Sequence, residues 1–99
     1  MSGFNIVKFT VKDGMDDKFL SENNNFNFDV PGFKRGNMIK TADHDYCFIA
    51  EWDSAQDSMN AEAKMVAMLD CFRDTLEEQA NGNGVTDFIV GDTVVEYQS

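Results

Sequence analysis

Proline, tryptophan and histidine each occur once in these 99 residues, cysteine occurs twice, and only eight lysines and arginines stand against eighteen aspartates and glutamates. Each scarcity excludes something. Cys47 and Cys71 form no CxxC pair and no dense framework, so both read as reduced structural thiols rather than as disulfide, redox or nucleophilic groups. The formal charge of -10 repels phosphate backbones and anionic lipid headgroups, which argues against nucleic acid and membrane surfaces as partners. No apolar run is long enough to cross a bilayer and MSGFNIV carries no basic stretch, so a cytoplasmic protein is expected. There is no phosphate-cradling glycine loop, no nucleophile elbow and no His/Cys/carboxylate cluster with metal spacing. Nucleotide hydrolysis, triad acyl transfer and metal catalysis therefore drop out, and neither a cofactor nor a metal is expected.

What is present is an order of hydrophobic periods that switches from two residues to helical spacing and back. In Phe4 to Lys12, Asn5, Val7, Phe9 and Val11 alternate with Lys8, Thr10 and Lys12, the mark of a half-buried strand. Asp13-Gly14 breaks it. Met15, Phe19, Leu20 and Phe26 then recur at helical spacing until Asn23 to Asn25 and Pro31-Gly32 close the crossover. Extended patterns from Phe33 to Thr41 and from Tyr46 to Trp52, joined by Ala42-Asp43-His44-Asp45, predict a hairpin. In its second strand Tyr46, Phe48, Ala50 and Trp52 share one face and Cys47, Ile49 and Glu51 the other, which fits a central strand covered on both sides. Ser54 with Asp57 opens a helix expected to run from about Ala55 to about Ala80, ended by Asn81-Gly82-Asn83-Gly84. A last strand is expected from about Ile89 to Tyr97.

The order is β-α-β-β-α-β, a ferredoxin-like α+β sandwich with a four-stranded antiparallel sheet, forming one domain over residues 1–99. One apolar face of such a sheet is left to cover. A chain of this length buries roughly 60 to 70% of its unfolded surface, so an oligomer interface would add needed stability and a homodimer is expected.

Four segments carry a resemblance over nearly the whole chain: VKFTVKDGMDDKFL, PGFKRGNMIKT, YCFIAEWDS leading into a long helix, and the closing strand. They resemble the antibiotic biosynthesis monooxygenase type of dimeric α/β-barrel protein, most recognisably at Trp52-Asp53-Ser54. The resemblance implies protomers paired sheet to sheet and a pocket between sheet and helices. It spans cofactor-independent quinone-forming oxygenases, haem-degrading enzymes and members without an assigned reaction. Haem-degrading relatives use an Asn on the first strand, and a Trp and a His on the second helix. Aligned on Trp52, those places fall near Val7 and at Ala61 and Cys71, so haem is not expected here.

Several residues are candidates for such a pocket, each with a plainer alternative. Asn5 can orient a phenol or an oxygen-derived intermediate by hydrogen bonding, or be solvated at a strand start. His44 is the one side chain whose ordinary pKa suits proton transfer near neutrality, but Asp43-His44-Asp45 is also a turn composition whose carboxylates favour the charged form. It becomes functional if the hairpin tip covers the twin's pocket. Trp52 can stack on a flat substrate or fill the core, with Tyr46 or Phe72 holding the ring. Arg35 and Asn37, on the same strand face as Phe33 and Ile39, suit a pocket or a dimer rim where Arg35 pairs with an acidic group of the twin. Met59, Met65 and Met68 suit an adaptable core or a pliable pocket wall. The chemistry that remains is oxidation of a small aromatic or polyketide-like molecule by dioxygen in a dry pocket. The alternative is a homodimer that binds a small hydrophobic molecule without turning it over.

Overall fold

A computed structural model, describing residues 1–80, 82 and 84–98, shows a four-stranded antiparallel sheet with helices on one face. The elements are β1 (Gly3–Thr10), α1 (Asp16–Asn24), β2 (Phe33–Ala42), β3 (Asp45–Trp52), α2 (Ala55–Asn60), α3 (Glu62–Asp70), a 3-10 turn (Arg73–Thr75) and β4 (Asp87–Asp92). The strand order β2-β3-β1-β4 makes this the ferredoxin-like α+β fold expected from the sequence.

The period-two pattern sorts side chains as strand geometry requires. Facing the helices, the register aligns Met38, Phe48, Val7 and Phe88 across the sheet, and beside them Gly36, Ala50, Asn5 and Val90. On the other face Ile49, Ile6 and Ile89 form a row, with Ile89 66% exposed. Among the described residues, no helix or strand covers that second face.

Two aromatic clusters pack between the sheet and the elements above it. Phe19, the buried residue of α1, packs edge-on to Phe72 at 5.2 Å between ring centres and lies against Phe9 and Tyr46. The second cluster surrounds Trp52 with Phe28 and Phe33.

Three expectations are corrected. The helix expected over 55–80 is instead α2, α3 and the 3-10 turn, divided at Ala61 and finished at Cys71. Tertiary pairing overrides helix propensity there: Leu76 bridges Val11, and the Glu77 amide donates to the Thr10 carbonyl at 2.8 Å, so the chain is drawn to the end of β1. Of the expected stop signal, Gly82 and Gly84 adopt positive φ, while Asn81 and Asn83 lie outside the described residues. The last strand starts earlier and stops at Asp92, because β1, its neighbour, begins at Gly3; Val94, Val95 and Tyr97 beyond it are exposed. Finally, Phe33 and Arg35 do not share a face. A β-bulge between them turns Phe33 onto Trp52 and Arg35 to the opposite side.

The start of α2 is held tightly. Ser54 accepts from the Asp57 amide, Asp92 of β4 accepts from the Ala55 amide at 2.8 Å, and a Cβ at Gly3 would stand 2.1 Å from the Ala55 nitrogen. Gly3→Ala is therefore expected to cost at least about 2 kcal/mol of unfolding free energy by denaturant titration. Gly91→Ala in the same sheet, with open space around the added Cβ, should stay within about 0.5 kcal/mol of the parent.

Candidate functional site

Because the helical layer ends at Asp70 and the chain turns back to β1, it does not fill the space over β1, β3 and β4. What remains is a cavity of about 370 Å³ between the sheet and α2 and α3. Val7, Phe48 and Phe88 form its floor, and Met59, Met65, Met68 and Leu69 its helical wall. The polar side chains lining it are Asn5, Ser58, Glu62 and Thr86. Unbranched methionines adapt to a variable ligand outline at low cost.

Asn5 is 2% exposed and sits in the cavity wall. The Trp52 indole donates to its Oδ1 at 2.6 Å, which orients the amide. Its Nδ2 is left facing the Met65 sulfur at 3.8 Å, a weak acceptor. The amide thus presents N–H donors to an apolar space. Trp52 itself is fully buried and outside the cavity lining, while Phe72 belongs both to the first aromatic cluster and to the cavity wall.

His44 and Tyr46 are elsewhere. His44 is the only non-glycine among the described residues with positive φ, at 66° in the β2–β3 turn. Its Nδ1 lies 2.8 Å from Asp16 Oδ1, and the Tyr46 hydroxyl donates to Asp16 Oδ2 at 2.7 Å. This carboxylate, at the first turn of α1, ties the hairpin to the helix. The Tyr46 and His44 hydrogen bonds hold the Asp16 carboxyl below its ordinary range, the same contact raises the His44 imidazole, and hydrogen bonding to Asp16 with burial pushes Tyr46 up to about 12. Within one protomer Asn5 and His44 are not brought together. The His44 carbonyl accepts from the Val11 amide just past the end of β1, six residues from Asn5, roughly 20 Å at strand rise.

Arg35 bonds Glu51 of its own chain, Nε to Oε1 at 2.8 Å, on the face away from the helices. The acidic partner expected from a twin is thus supplied by the adjacent strand. Asn37 lies on β2 and touches a second cleft of about 420 Å³, bounded by α1 and the segment after it. Of the residues read as candidates, the structure gathers Asn5, Phe72, Met59, Met65 and Met68 at the main cavity. Ser58, Glu62 and Thr86 were not among those candidates. The helical period alone, with Ser58 three residues after Ala55 and before Ala61, could have placed Ser58 on the inward face. Among the described residues no cluster of three or more His, Cys, Asp or Glu could hold a metal ion, and no helix is long and apolar enough to cross a membrane.

No family model matches the chain, and no curated protein matches it in sequence. In three dimensions it is similar to a Nitrosomonas europaea protein with the provisional name antibiotic biosynthesis monooxygenase (TM-score 0.71, 15% identity, over 94% of this chain and 90% of that one). A Chloroflexus aurantiacus protein with the same provisional name gives a TM-score of 0.70 at 12% identity, over 99% and 98%. SnoaB, a cofactor-independent oxygenase from Streptomyces nogalater solved as a mutant, gives 0.68 at 16%, over 99% and 98%. At these identities the likeness is one of fold, and it is the fold that the sequence resemblance implied.

The His44–Asp16 contact sets a pH dependence. A raised histidine contributes stability fully below its ordinary value of 6.5 and loses it as pH rises through the raised value; a lowered aspartate contributes fully above 3.8 and loses it as pH falls. The contact therefore stabilises most between those values. By NMR, His44 is expected to titrate above 6.5 and to return toward it in Asp16→Asn, whose thermal midpoint should fall further below the parent's near pH 5 than near pH 9. An unshifted His44 in the parent protein would refute this.

Proposed function

We propose that the protein is a homodimer whose cavity takes up a small aromatic or polyketide-like molecule and lets dioxygen oxidise it without a cofactor, as a monooxygenase of the antibiotic biosynthesis type. The observation that carries this reading is the buried Asn5 amide, its oxygen occupied by Trp52 and its N–H groups turned to an apolar cavity. A donor held in such a place is worth most where charge develops on a substrate oxygen, as it does when an electron-rich phenol or enol loses its proton. The ring would lie among Phe48, Phe72 and the methionines, in an apolar space that is open where Phe88 and Met59 are exposed. In the overall change a ring CH₂ becomes C=O: one atom of dioxygen enters the carbonyl, the other leaves as water with the two hydrogens, and the substrate supplies all four electrons. The similarity in fold to a cofactor-independent oxygenase supports the same reading.

A second reading, binding without turnover, is favoured by one observation. Glu62 is the sole ionisable side chain lining the cavity among the described residues, and His44 is bonded to Asp16 at the far end of β1. His44 takes part only if the hairpin of the twin reaches over the cavity.

The two readings separate by oxygen uptake with a panel of anthrones, whose ring CH₂ is the group to be oxidised. The oxygenase is expected to consume oxygen as quinone appears, and Asn5→Ala, checked for folding, to slow this by about 100-fold or more. Binding of the same compounds without uptake decides for the second reading. Light scattering at micromolar concentration is expected to report twice the 11.2 kDa chain mass, and a single-chain mass would overturn the dimer.

A further inference from the structure

The face of α2 that meets the sheet takes small side chains, since Gly3 and Ala55 approach too closely for anything larger between them. Ala55 and Ala61 fit that requirement at 6% and 8% exposed, and Ser58, at 0%, stands between them. Size alone asks for alanine at this position. Instead a hydroxyl is present, and among the described residues its Oγ has no hydrogen-bond partner. A buried hydroxyl without a partner is destabilising, whereas alanine of nearly the same shape is not. The usual local remedy, a bond back to the carbonyl one turn earlier, is not made. Ser58 does, however, line the main cavity, as does Asn5 on the strand beneath.

We infer that Ser58 is a ligand-contacting residue whose hydroxyl, with the Asn5 amide N–H, anchors one oxygen of an otherwise apolar ligand. The inference rests on the ligand cavity proposed above and adds what the ligand must carry. Trp52 holds Asn5 so that a donor faces inward, and the serine hydroxyl both donates and accepts. The pair therefore selects a phenolic, enolic or carbonyl oxygen at one end of the molecule, while the methionine and phenylalanine wall takes a flat hydrocarbon body. An analogue lacking that oxygen would leave both polar groups unpaired, and for this reason such a site discriminates better than a purely apolar one.

The test uses two probes of nearly equal shape, 1-naphthol and 1-methylnaphthalene, titrated by calorimetry or fluorescence against the parent protein and Ser58→Ala. The parent is expected to bind 1-naphthol about tenfold more tightly, the effect of one or two hydrogen bonds. Ser58→Ala should reduce that preference to threefold or less, about half the discrimination on a logarithmic scale. Its ligand-free thermal midpoint should equal or exceed the parent's, because the variant loses an unsatisfied hydroxyl. A merely structural serine predicts a lower midpoint with the preference intact, and that result overturns the anchor while leaving the cavity reading standing. If the parent binds neither probe, the cavity reading and the anchor both fall.

Discussion

The indole N–H of Trp52 is buried, and Asn5 Oδ1 at 2.6 Å is the acceptor that meets it. A buried donor without a partner is costly, so the bond locks β1 to β3 at the height of α2 and fixes which way the Asn5 amide points. Two consequences run outward from it. Toward the protein, the indole is free to pack edge-on against Phe28 and Phe33 and to close the crossover over the sheet. Toward the cavity, the amide N–H groups are left as donors in apolar surroundings.

The cavity exists because the helical layer is short. Aromatic packing of Phe72 against Phe9 and Phe19, and the pairing of Leu76 with Val11, pull the chain off the helical path after Cys71. Phe88 and Val90 of β4 consequently face the helices without being covered by them, at 63% and 36% exposed. The same cluster that stabilises the fold thus also leaves the space in which a ligand can lie.

Charge is concentrated away from that space. Asp16 gathers His44 and Tyr46 at one end of the sheet, and Arg35 meets Glu51 on the uncovered face, so the best-defined polar contacts outside the cavity join elements of the fold to one another. A histidine alone in a sequence draws notice for its pKa, yet its geometry here makes it a tether between hairpin and helix. The row of Ile6, Ile49 and Ile89 on the open face asks for a cover of its own, which a second copy of the chain would supply in the proposed dimer.

Strand faces and element order were legible in the sequence. Period-two alternation records which side of a strand is buried, and it put Asn5, Val7 and Phe9 on one side and Tyr46, Phe48 and Ala50 on the matching side before any coordinates. The Asp13-Gly14 and Pro31-Gly32 turns were equally local, since positive φ at Gly14 and Gly32 is a property of the residue itself. The end of the helix near Cys71, the bulge that parts Phe33 from Arg35, the distance between Asn5 and His44, and the placing of Asn5 and Ser58 on one cavity were not legible. Each depends on contacts between residues far apart in the chain, and a one-dimensional pattern holds no record of which distant group takes a hydrogen bond or fills a void. The sequence by itself determined the order of the elements and, away from the bulge in β2, which way the strand side chains face, because those follow from local backbone geometry and hydrophobic period. Only the tertiary structure decided where the helical layer stops and which polar groups are left without partners, because packing and long-range hydrogen bonding override local preference there.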